Sequence, residues 1–291
     1  MIRLSRPGDE VALQDLFHVA FGDPPEATRS FFDALYRPGD AVLWAEGDTV
    51  ASAMYLLDAG TIPQAGDTGD RGRAPLRVSY AYALATLPDY RGRGLGGLVT
   101  KAIIARSAAL GFDCNLICPA EAGLFGYYAP LGYSHTLAIA TGEVTDATSA
   151  DFSIINNVMS TDFFTYLQLR AQYLPASAVA YPAPFLRYVE ATCRASGGGL
   201  YRLKTQGSTG CAAVERRGDQ LLVREVLPTA LAEPFARALI AHLDAQSASF
   251  RTVPVPDSRS PLARCQPFVL AAFAKAQPGA TLDAYFPFVL D

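Results

Sequence analysis

The amino-acid sequence predicts an α/β protein in which a mixed β-sheet carries helices on its faces. Half of its 291 residues are hydrophobic and 18% are charged, which is enough apolar material for one large domain or two modest ones. In the first half, helical and strand-like patterns alternate in the order ααβββαβαβ. A hairpin followed by strand–helix–strand units requires both antiparallel and parallel neighbours, so the sheet is predicted to be mixed.

Two helices and a hairpin open the chain. Apolar residues recur at near-helical spacing over 9–21, and Pro25 suits the first turn of a second helix that ends before Pro38-Gly39. Two apolar runs within 41–57 flank the turn Glu46-Gly47-Asp48-Thr49. Because Gly and Asp favour tight turns, these runs are predicted to pair as a hairpin.

A strand, a helix and another strand follow the hairpin. Residues 58–75 are rich in Gly, Asp and Arg, which predicts an exposed loop. The run 76–85 is predicted to be a long strand, which ends at Pro88 because proline offers no N–H to a sheet. A glycine-rich turn then leads into an amphipathic helix that ends at Gly111, and the apolar run 115–118 predicts a short buried strand.

The second half of the chain repeats this order. After a helix over 121–128 and a strand over 133–145, the polar stretch 146–151 marks the best domain boundary. Beyond it, two helical patterns, three strand-like segments and another helix again give the order ααβββα. We therefore predict two domains, residues 1–147 and 148–291, related by a diverged internal duplication.

Charge and hydropathy exclude several partners. The chain has 24 Lys and Arg against 28 Asp and Glu, a formal net charge of −4, so nucleic acid is not expected as a main partner. Apart from Arg91 and Arg93 there is no basic patch for a membrane surface. No run approaches the ~20 apolar residues of a membrane span, and no apolar signal region opens the chain. We expect a cytoplasmic protein.

Cysteine and histidine patterns argue against metal sites and disulfides. The five cysteines contain no CxxC pair, and the three histidines show neither HExxH nor HxH spacing. A thiolate zinc site and a disulfide framework are therefore not expected, and no structural metal is predicted. Free cysteines fit a reducing compartment.

The most informative segment is a glycine-rich turn, Pro88-Asp89-Tyr90-Arg91-Gly92-Arg93-Gly94-Leu95-Gly96-Gly97. Glycines let the backbone approach a ligand closely, and the first N–H groups of the following helix are unpaired. The positive end of the helix dipole suits a pyrophosphate, and Arg91 and Arg93 add charge for further phosphates. Without a ligand, the same glycines would serve only a tight connection between strand and helix.

Two ligand classes compete for this turn. Gly92, Gly94 and Gly97 satisfy the dinucleotide fingerprint GxGxxG, and Glu121 lies downstream at a suitable distance. That fingerprint should turn directly out of a strand, whereas Pro88-Asp89-Tyr90-Arg91 intervenes here. A dinucleotide-dependent oxidoreductase is therefore the weaker alternative.

A second pattern covers more of the sequence. Arg91-Gly92-Arg93-Gly94-Leu95-Gly96 matches R/Q-x-x-G-x-G/A, and this stretch resembles the GCN5-related N-acetyltransferase (GNAT) family. The segment Leu124-Phe125-Gly126-Tyr127-Tyr128-Ala129-Pro130-Leu131-Gly132-Tyr133 looks like the family's LY-x-x-x-GF element. The resemblance covers residues 1–145 and implies a GNAT-like N-terminal domain, followed by a second, diverged GNAT-like domain in a tandem form.

The resemblance implies acetyl-CoA, or another acyl-CoA, as the donor. Pantetheine would pair like a strand with Leu84, Ala85 and Thr86, and in the family's arrangement a freed backbone N–H nearby polarises the thioester carbonyl. The pyrophosphate would rest on the turn formed by Arg91, Gly92, Arg93, Gly94, Leu95, Gly96 and Gly97. The second half has no glycine or arginine between the corresponding strand and helix, so no second CoA site is expected there.

The same resemblance assigns catalytic roles. Tyr128 would be the general acid, because a phenol with an ordinary pKa of about 10 is protonated at pH 7 and can donate to a thiolate; its neighbour Tyr127 is interpreted as packing. Glu121 stands where many relatives carry an asparagine, and it either binds substrate or relays a proton, or only complements the dipole of its helix. Asp291, which follows the apolar segment 284–290, is a further candidate base.

The predicted function is therefore that of an acyl-CoA-dependent N-acyltransferase. A primary amine, on a small molecule or a peptide, would attack the thioester directly. A non-catalytic acyl-CoA sensor is the alternative from another functional class. The second half is expected to close the acceptor site or to form a homodimer contact. Five of its aromatic residues would either line an acceptor pocket or belong to the core: Phe163, Phe164, Tyr166, Tyr173 and Tyr181.

Overall fold

The computed structural model describes residues 1–64, 74–145, 157–205, 207–254, 264–274, 282 and 284–290. Within these ranges, twelve strands form one mixed sheet, and seven α-helices pack against it. The strands of the first half are β1 (Ile2–Leu4), β2 (Ala41–Glu46), β3 (Thr49–Ile62), β4 (Leu76–Thr86), β5 (Cys114–Ile117) and β6 (His135–Val144). Those of the second half are β7 (Val158–Ser160), β8 (Gly199–Lys204), β9 (Thr209–Arg217), β10 (Gln220–Leu227), β11 (Ser247–Thr252) and β12 (Arg264–Phe273).

The helices complete the predicted α/β fold. They are α1 (Glu10–Phe21), α2 (Pro25–Ala34), α3 (Leu95–Ala109), α4 (Gly123–Tyr128), α5 (Phe163–Tyr173), α6 (Ala183–Ala195) and α7 (Ala232–His242). Both the alternation of helices and strands and the mixed sheet confirm the fold class that the sequence predicts.

Each half of the chain builds its part of the sheet in the same way. In the first half, β1 to β4 are antiparallel neighbours and β4 lies parallel to β5. In the second half, β7 to β10 are antiparallel neighbours and β10 lies parallel to β11. The helix pairs α1–α2 and α5–α6 precede β2 and β8, and α3 and α7 make the parallel crossovers. The repeated order ααβββα is therefore present in the structure.

The last strand of each half lies beside the other half. The central sheet order is β4-β5-β12-β6-β11-β10, so β12 lies between β5 and β6, and β6 lies next to β11. All three contacts are antiparallel. This exchange makes the sheet continuous through the middle of the molecule. The predicted boundary at 146–151 lies outside the described residues, so the division into 1–147 and 148–291 stays a prediction.

Several regions differ from the sequence-based expectation. β3 extends to Ile62, so residues 58–62 of the predicted loop are strand instead, because Ala59 and Ile62 are buried and Thr61 bridges to Ala180; residues 65–73 of that loop lie outside the described residues. The sequence also does not predict the strands β1, β7, β11 and β12. The first part of β12 is exposed, and Pro267, beside an irregularity in the ladder, interrupts the apolar pattern that marks a strand.

The long strand β3 connects two apolar cores. Tyr55 and Leu57 point to the core that contains α1 and α2, while Met54 and Leu56 point to the core that contains α3. This alternation is the period of two that a strand buried on both faces imposes. The Tyr55 ring lies edge-on to Phe31, with 5.2 Å between ring centroids. The neighbouring strand β4 and the helix α3 therefore both pack against a strand that is buried on its two faces.

A buried ion pair stabilises the second half. Arg170 on α5 contacts Glu225 on β10 with an Nε–Oε2 distance of 2.7 Å, and their side chains are only 5% and 0% exposed. The hydroxyl of Tyr166 donates a further hydrogen bond to Glu225 Oε2 at 2.8 Å. Because burial has removed the water around both charges, each charge is stabilised mainly by the other.

We predict that Arg170→Met lowers the free energy of unfolding by about 3–5 kcal/mol, because it leaves the Glu225 carboxylate buried without its partner. Arg194→Met is the matched control, since Arg194 is 59% exposed in its ion pair with Glu190, and it should cost less than about 1 kcal/mol. Chemical denaturation measures both. A loss of the same size in the two variants would contradict the dependence on burial.

Candidate active site

The edge of β4 opens next to β5. The two strands pair in parallel from Val78 and Cys114 to Ala81 and Ile117. There β5 ends, whereas β4 continues to Thr86. On this side, the last part of β4 has no strand partner among the described residues. Its backbone groups are therefore available to an extended ligand that pairs as a further strand.

A β-bulge lies at the start of this open edge. Ala53 pairs with Ala85 and Tyr55 pairs with Tyr82, so Met54 alone opposes the two residues between them, Ala83 and Leu84. Ala83 has a φ of +53°, in the left-handed region that costs a residue with a side chain roughly 1–2 kcal/mol. A bulge leaves backbone groups outside the ladder, which is what the freed N–H expected near Leu84 or Ala85 requires.

The glycine-rich turn and the open edge enclose one cleft. Helix α3 begins at Leu95, after Gly94, whose φ of +73° suits a residue without a side chain. The cleft in front of it has a volume of about 580 Å³. Its lining consists of Ala20, Phe21, Leu84, Ala85, Thr86, Tyr90, Arg91, Gly92, Gly94, Leu95, Gly96, Leu124, Tyr127 and Tyr128. We call it the donor cleft.

Two of the predicted cofactor residues, Arg93 and Gly97, do not line the donor cleft. Arg93 forms an ion pair with Glu46 instead, with an Nη2–Oε1 distance of 2.6 Å, and its guanidinium lies 4.9 Å from the centre of the Tyr90 ring. Arg91 lines the cleft, and its Nε donates to the carbonyl oxygen of Thr86 at 3.2 Å. The other predicted cofactor residues line the cleft as well.

Tyr127 has a position that the sequence does not predict. Interpreted from the sequence as packing, it lines the donor cleft instead, and it is 40% exposed. A Cβ atom added to Gly96 would lie 2.9 Å from its hydroxyl oxygen. A signal for this contact is present in the sequence, because a glycine in the first turn of a helix allows another group to come close. The phenol of Tyr127 therefore lies at the positive end of α3.

Tyr128 is buried between the donor cleft and a second cavity. Only 6% of it is exposed, and burial raises its pKa to about 12. Its ring lies edge-on to that of Tyr133, with 5.8 Å between centroids. A phenol with this pKa keeps its proton throughout the physiological range.

A buried polar network supports Tyr133 from below. Its hydroxyl donates to Asn115 Oδ1, and Asn115 Nδ2 donates to Ser79 Oγ at 2.8 Å. Ser79 in turn shares a hydrogen bond of 2.7 Å with Ser107 on α3. The network ties β4, β5 and α3 to the segment after α4, and so fixes the wall against which Tyr128 packs.

The second cavity has a volume of about 400 Å³ and lies on the other side of Tyr128. It shares Phe21, Leu84, Leu124 and Tyr128 with the donor cleft. The remaining lining residues are Phe17, Asp23, Met54, Tyr80, Ala81, Tyr82, Ala83, Ile117, Cys118, Ala120, Val289 and Leu290. We call it the acceptor cavity, after the amine acceptor that the sequence predicts.

The C-terminal segment 284–290 forms part of the acceptor cavity. The segment is buried, as its apolar sequence predicts, and Val289 and Leu290 line the cavity. The Val179 N–H donates to the Tyr285 carbonyl oxygen at 3.1 Å, and the Phe286 ring lies 5.5 Å from that of Tyr80. Asp291 lies outside the described residues.

The other candidates lie away from both cavities. Glu121 is exposed two residues before α4 and lines neither cavity. None of the five second-half aromatic residues lines either cavity; Phe163, Tyr166 and Tyr181 are buried in the main core, and Phe164 is exposed.

In the second half, the C-terminal segment lies against the strand position that corresponds to the bulge of β4. β10 has an irregularity between Val223 and Glu225, where β4 has its bulge. Arg224 Nη1 donates to the Val289 carbonyl oxygen at 2.6 Å, and Arg251 Nη1 on β11 donates to the Pro287 carbonyl oxygen at 3.4 Å. The chain's own C-terminal segment thus packs against this part of the sheet.

Metal-binding clusters and long apolar helices are both absent from the part of the chain that the structure describes. No group of three His, Cys, Asp or Glu side chains within it is arranged to hold a metal ion. None of its helices combines the length and the apolar character needed to cross a membrane.

Comparisons with known proteins connect this geometry to a family. Residues 1–136 match the family model described as acetyltransferase (GNAT) domain. No curated protein matches the sequence.

Three solved structures have a similar fold. A conserved Enterococcus faecalis V583 protein is 14% identical, with a TM-score of 0.68 over 94% of this chain and 72% of that one. A GCN5-related N-acetyltransferase from Anabaena variabilis is 14% identical, with a TM-score of 0.63 over 94% and 73%. Another, from Kribbella flavida, is 16% identical, with a TM-score of 0.58 over 93% and 70%. At these identities the similarity concerns the fold, and it extends over both halves of the chain.

We predict that Ala83→Val disturbs the bulge, because a β-branched side chain is strongly disfavoured at positive φ. The loss of stability should be about 1–3 kcal/mol. Ala83→Gly, which accepts this conformation, should keep the stability of the parent protein within about 1 kcal/mol. Thermal unfolding measures both.

Ala138→Val is the control for the valine substitution. Ala138 is exposed on β6, and its φ is not positive, so valine should be tolerated there. Equal destabilisation by valine at positions 83 and 138 would show that the bulge is not strained.

Proposed function

We propose that this chain, whose residues 1–136 match the GNAT acetyltransferase domain model, transfers an acyl group from acyl-CoA, above all acetyl-CoA, to a primary amine. The observation that carries the proposal is that two cavities meet at Tyr128, one bordered by the glycine turn and the other walled by apolar groups. A transferase needs two such binding sites with one shared wall, because both substrates must be present for direct transfer.

The donor cleft suits coenzyme A in two parts. The backbone N–H groups at Gly94, Leu95 and Gly96 begin α3, where the helix dipole favours the charge of a pyrophosphate. The open edge from Leu84 to Thr86 offers backbone partners to the two amides of pantetheine. With CoA bound in this way, the proposed position of the thioester is near the bulge and near Tyr128.

In the proposed reaction the neutral amine attacks the thioester carbon, so that a C–N bond forms and the C–S bond breaks. The attacking nitrogen loses one proton to a base, and the leaving thiolate receives one from the Tyr128 hydroxyl. A backbone N–H at the bulge stabilises the negative charge on the carbonyl oxygen. Because Glu121 lies outside both cavities, its role as base requires a water relay.

The alternatives fit the structure less well. A sensor that only binds acyl-CoA does not require a second cavity that shares Tyr128 with the donor cleft. A dinucleotide fold requires the turn to leave a parallel strand directly, whereas β4 is followed by a 3₁₀ turn, Pro88–Tyr90, before the glycines.

We predict that Tyr128→Phe lowers kcat by about 100-fold or more while the affinity for acetyl-CoA stays within about twofold, because only the proton donor is lost. Release of free thiol measures turnover, and calorimetry measures binding. Tyr127→Phe is the contrasting variant; it removes the neighbouring hydroxyl and should act on the KM for acetyl-CoA. Unchanged kcat in Tyr128→Phe would remove the general-acid role.

The pKa of Tyr128 supplies an independent check. Since the acid is active while protonated and its pKa is about 12, its ionisation should cause no fall in kcat below about pH 11. A fluorinated tyrosine at position 128 has a more acidic phenol, so a descending alkaline limb should then enter the accessible pH range. A profile that fluorination leaves unchanged would contradict the assignment.

For the donor cleft, we predict that Gly94→Glu weakens CoA binding at least about tenfold, equivalent to 1.4 kcal/mol, because its carboxylate would repel the pyrophosphate. Gly94→Asn is the matched control. Nothing lies within 4 Å of an added Cβ there, and Asn tolerates positive φ, so it should bind CoA nearly as the parent does. Equal binding by both variants would place the pyrophosphate elsewhere.

A further inference from the structure

The acceptor cavity has an unusual wall for a site that binds an amine. Most of its lining is aliphatic or aromatic, including Phe17, Phe21, Met54, Leu124, Val289 and Leu290. Among the residues that the structure describes, the lining contains no lysine or arginine and a single carboxylate, that of Asp23.

Asp23 lies at the edge of the cavity, in the short connection between α1 and α2. Gly22 ends α1 with a φ of +72°, and Pro25 begins α2. The Nδ1 atom of His18 contacts the Asp23 carbonyl oxygen at 2.8 Å, which fixes the backbone of the turn. The backbone of Asp23 therefore has a defined position relative to the apolar wall.

The electrostatic environment of Asp23 favours a cationic ligand. Burial raises the pKa of its carboxyl group, and the attraction of Arg217 and His18 offsets only part of that effect. A half-buried carboxylate gains most from a positive charge that enters with the ligand, because the ligand replaces the water that burial has removed.

The number of positive charges that a ligand carries further restricts which amines the cavity can bind. A polyamine or an aminoglycoside carries several ammonium groups, and each of those not paired with Asp23 would lose its water against an apolar wall. An amine with one charge and an apolar body instead pairs its charge and buries its carbon atoms at a gain of roughly 25 cal/mol per Å². The volume of about 400 Å³ is within the usual range of small-ligand pockets.

We propose that the acceptor is a primary amine that carries a single positive charge on an apolar body, with its ammonium group bound by Asp23. Before attack the bound ammonium gives one proton to water, so that the nitrogen reaches the thioester carbon as the neutral amine. This inference rests on the proposed acyl transfer and names its substrate class. The apolar body lies against the aromatic side chains of α1 and the C-terminal segment, and the amine faces the wall that contains Tyr128.

An amine panel with acetyl-CoA tests the substrate class by release of free thiol. For phenylethylamine and tyramine, we expect kcat/KM at least about tenfold higher than for spermidine and kanamycin, a difference of 1.4 kcal/mol. Higher kcat/KM for the polycations would overturn the inference while leaving acyl transfer established. Absence of CoA binding and of thiol release with every amine would instead overturn the proposed function.

Asp23→Asn tests whether the Asp23 carboxylate binds the ammonium group of the acceptor. The KM for phenylethylamine should rise at least about tenfold with the KM for acetyl-CoA and the melting temperature unchanged, and Asp23→Glu should restore part of the loss. Asp15→Asn, with the same charge change at an exposed position on α1, should have no effect. An unchanged amine KM in Asp23→Asn would overturn the role of Asp23.

A binding measurement tests the inference in the case that CoA binds but no amine in the panel reacts. Calorimetry on the CoA-loaded protein compares phenylethylamine with phenylethanol, which has the same ring without the charge. The parent should prefer the amine, and Asp23→Asn should lose that preference. Equal affinity of the parent for the two compounds would overturn the inference.

Discussion

The candidate site depends on one constraint, which is that β5 ends while β4 continues. Backbone groups are costly to bury without hydrogen bonds, so the edge of β4 beyond Tyr82 favours pairing with an extended ligand or with water. The bulge at Ala83 turns the strand at this point, and α3 begins directly behind it. The donor cleft, the positive helix end and Tyr128 are consequences of this separation, because each borders the space that β5 leaves open.

The exchanged strands explain how the separation is maintained. β12 pairs with β5 from Leu270 to Phe273, so the short β5 is held on its far side by a strand from the second half. β6 is held between β12 and β11 in the same way. The first half therefore cannot close its opening by moving β5 alone. The open edge is a property of the whole sheet, and local sequence around β4 does not encode it by itself.

The sequence predicts the parts of the site that depend on local chemistry. The glycines before α3, the tyrosine at the end of α4 and the end of β4 before Pro88 each follow from backbone preferences or a short motif. It does not predict the bulge, since Ala83 has no residue-type signal for positive φ, nor the ion pair of Arg93 with Glu46, which lies 47 residues away. Contacts of that kind depend on strand register, which only the folded sheet defines.

The two halves of the chain differ at matching positions of the sheet. At the irregularity, β4 carries the small side chain of Ala83, which lines the acceptor cavity, whereas β10 carries Arg224, which reaches the Val289 carbonyl. The contact of Arg224 therefore holds the C-terminal segment in place. The next residue, Leu290, lines the acceptor cavity. In this way the second half supports a wall of the cavity next to β4, and the shape of the acceptor cavity depends on both halves of the chain.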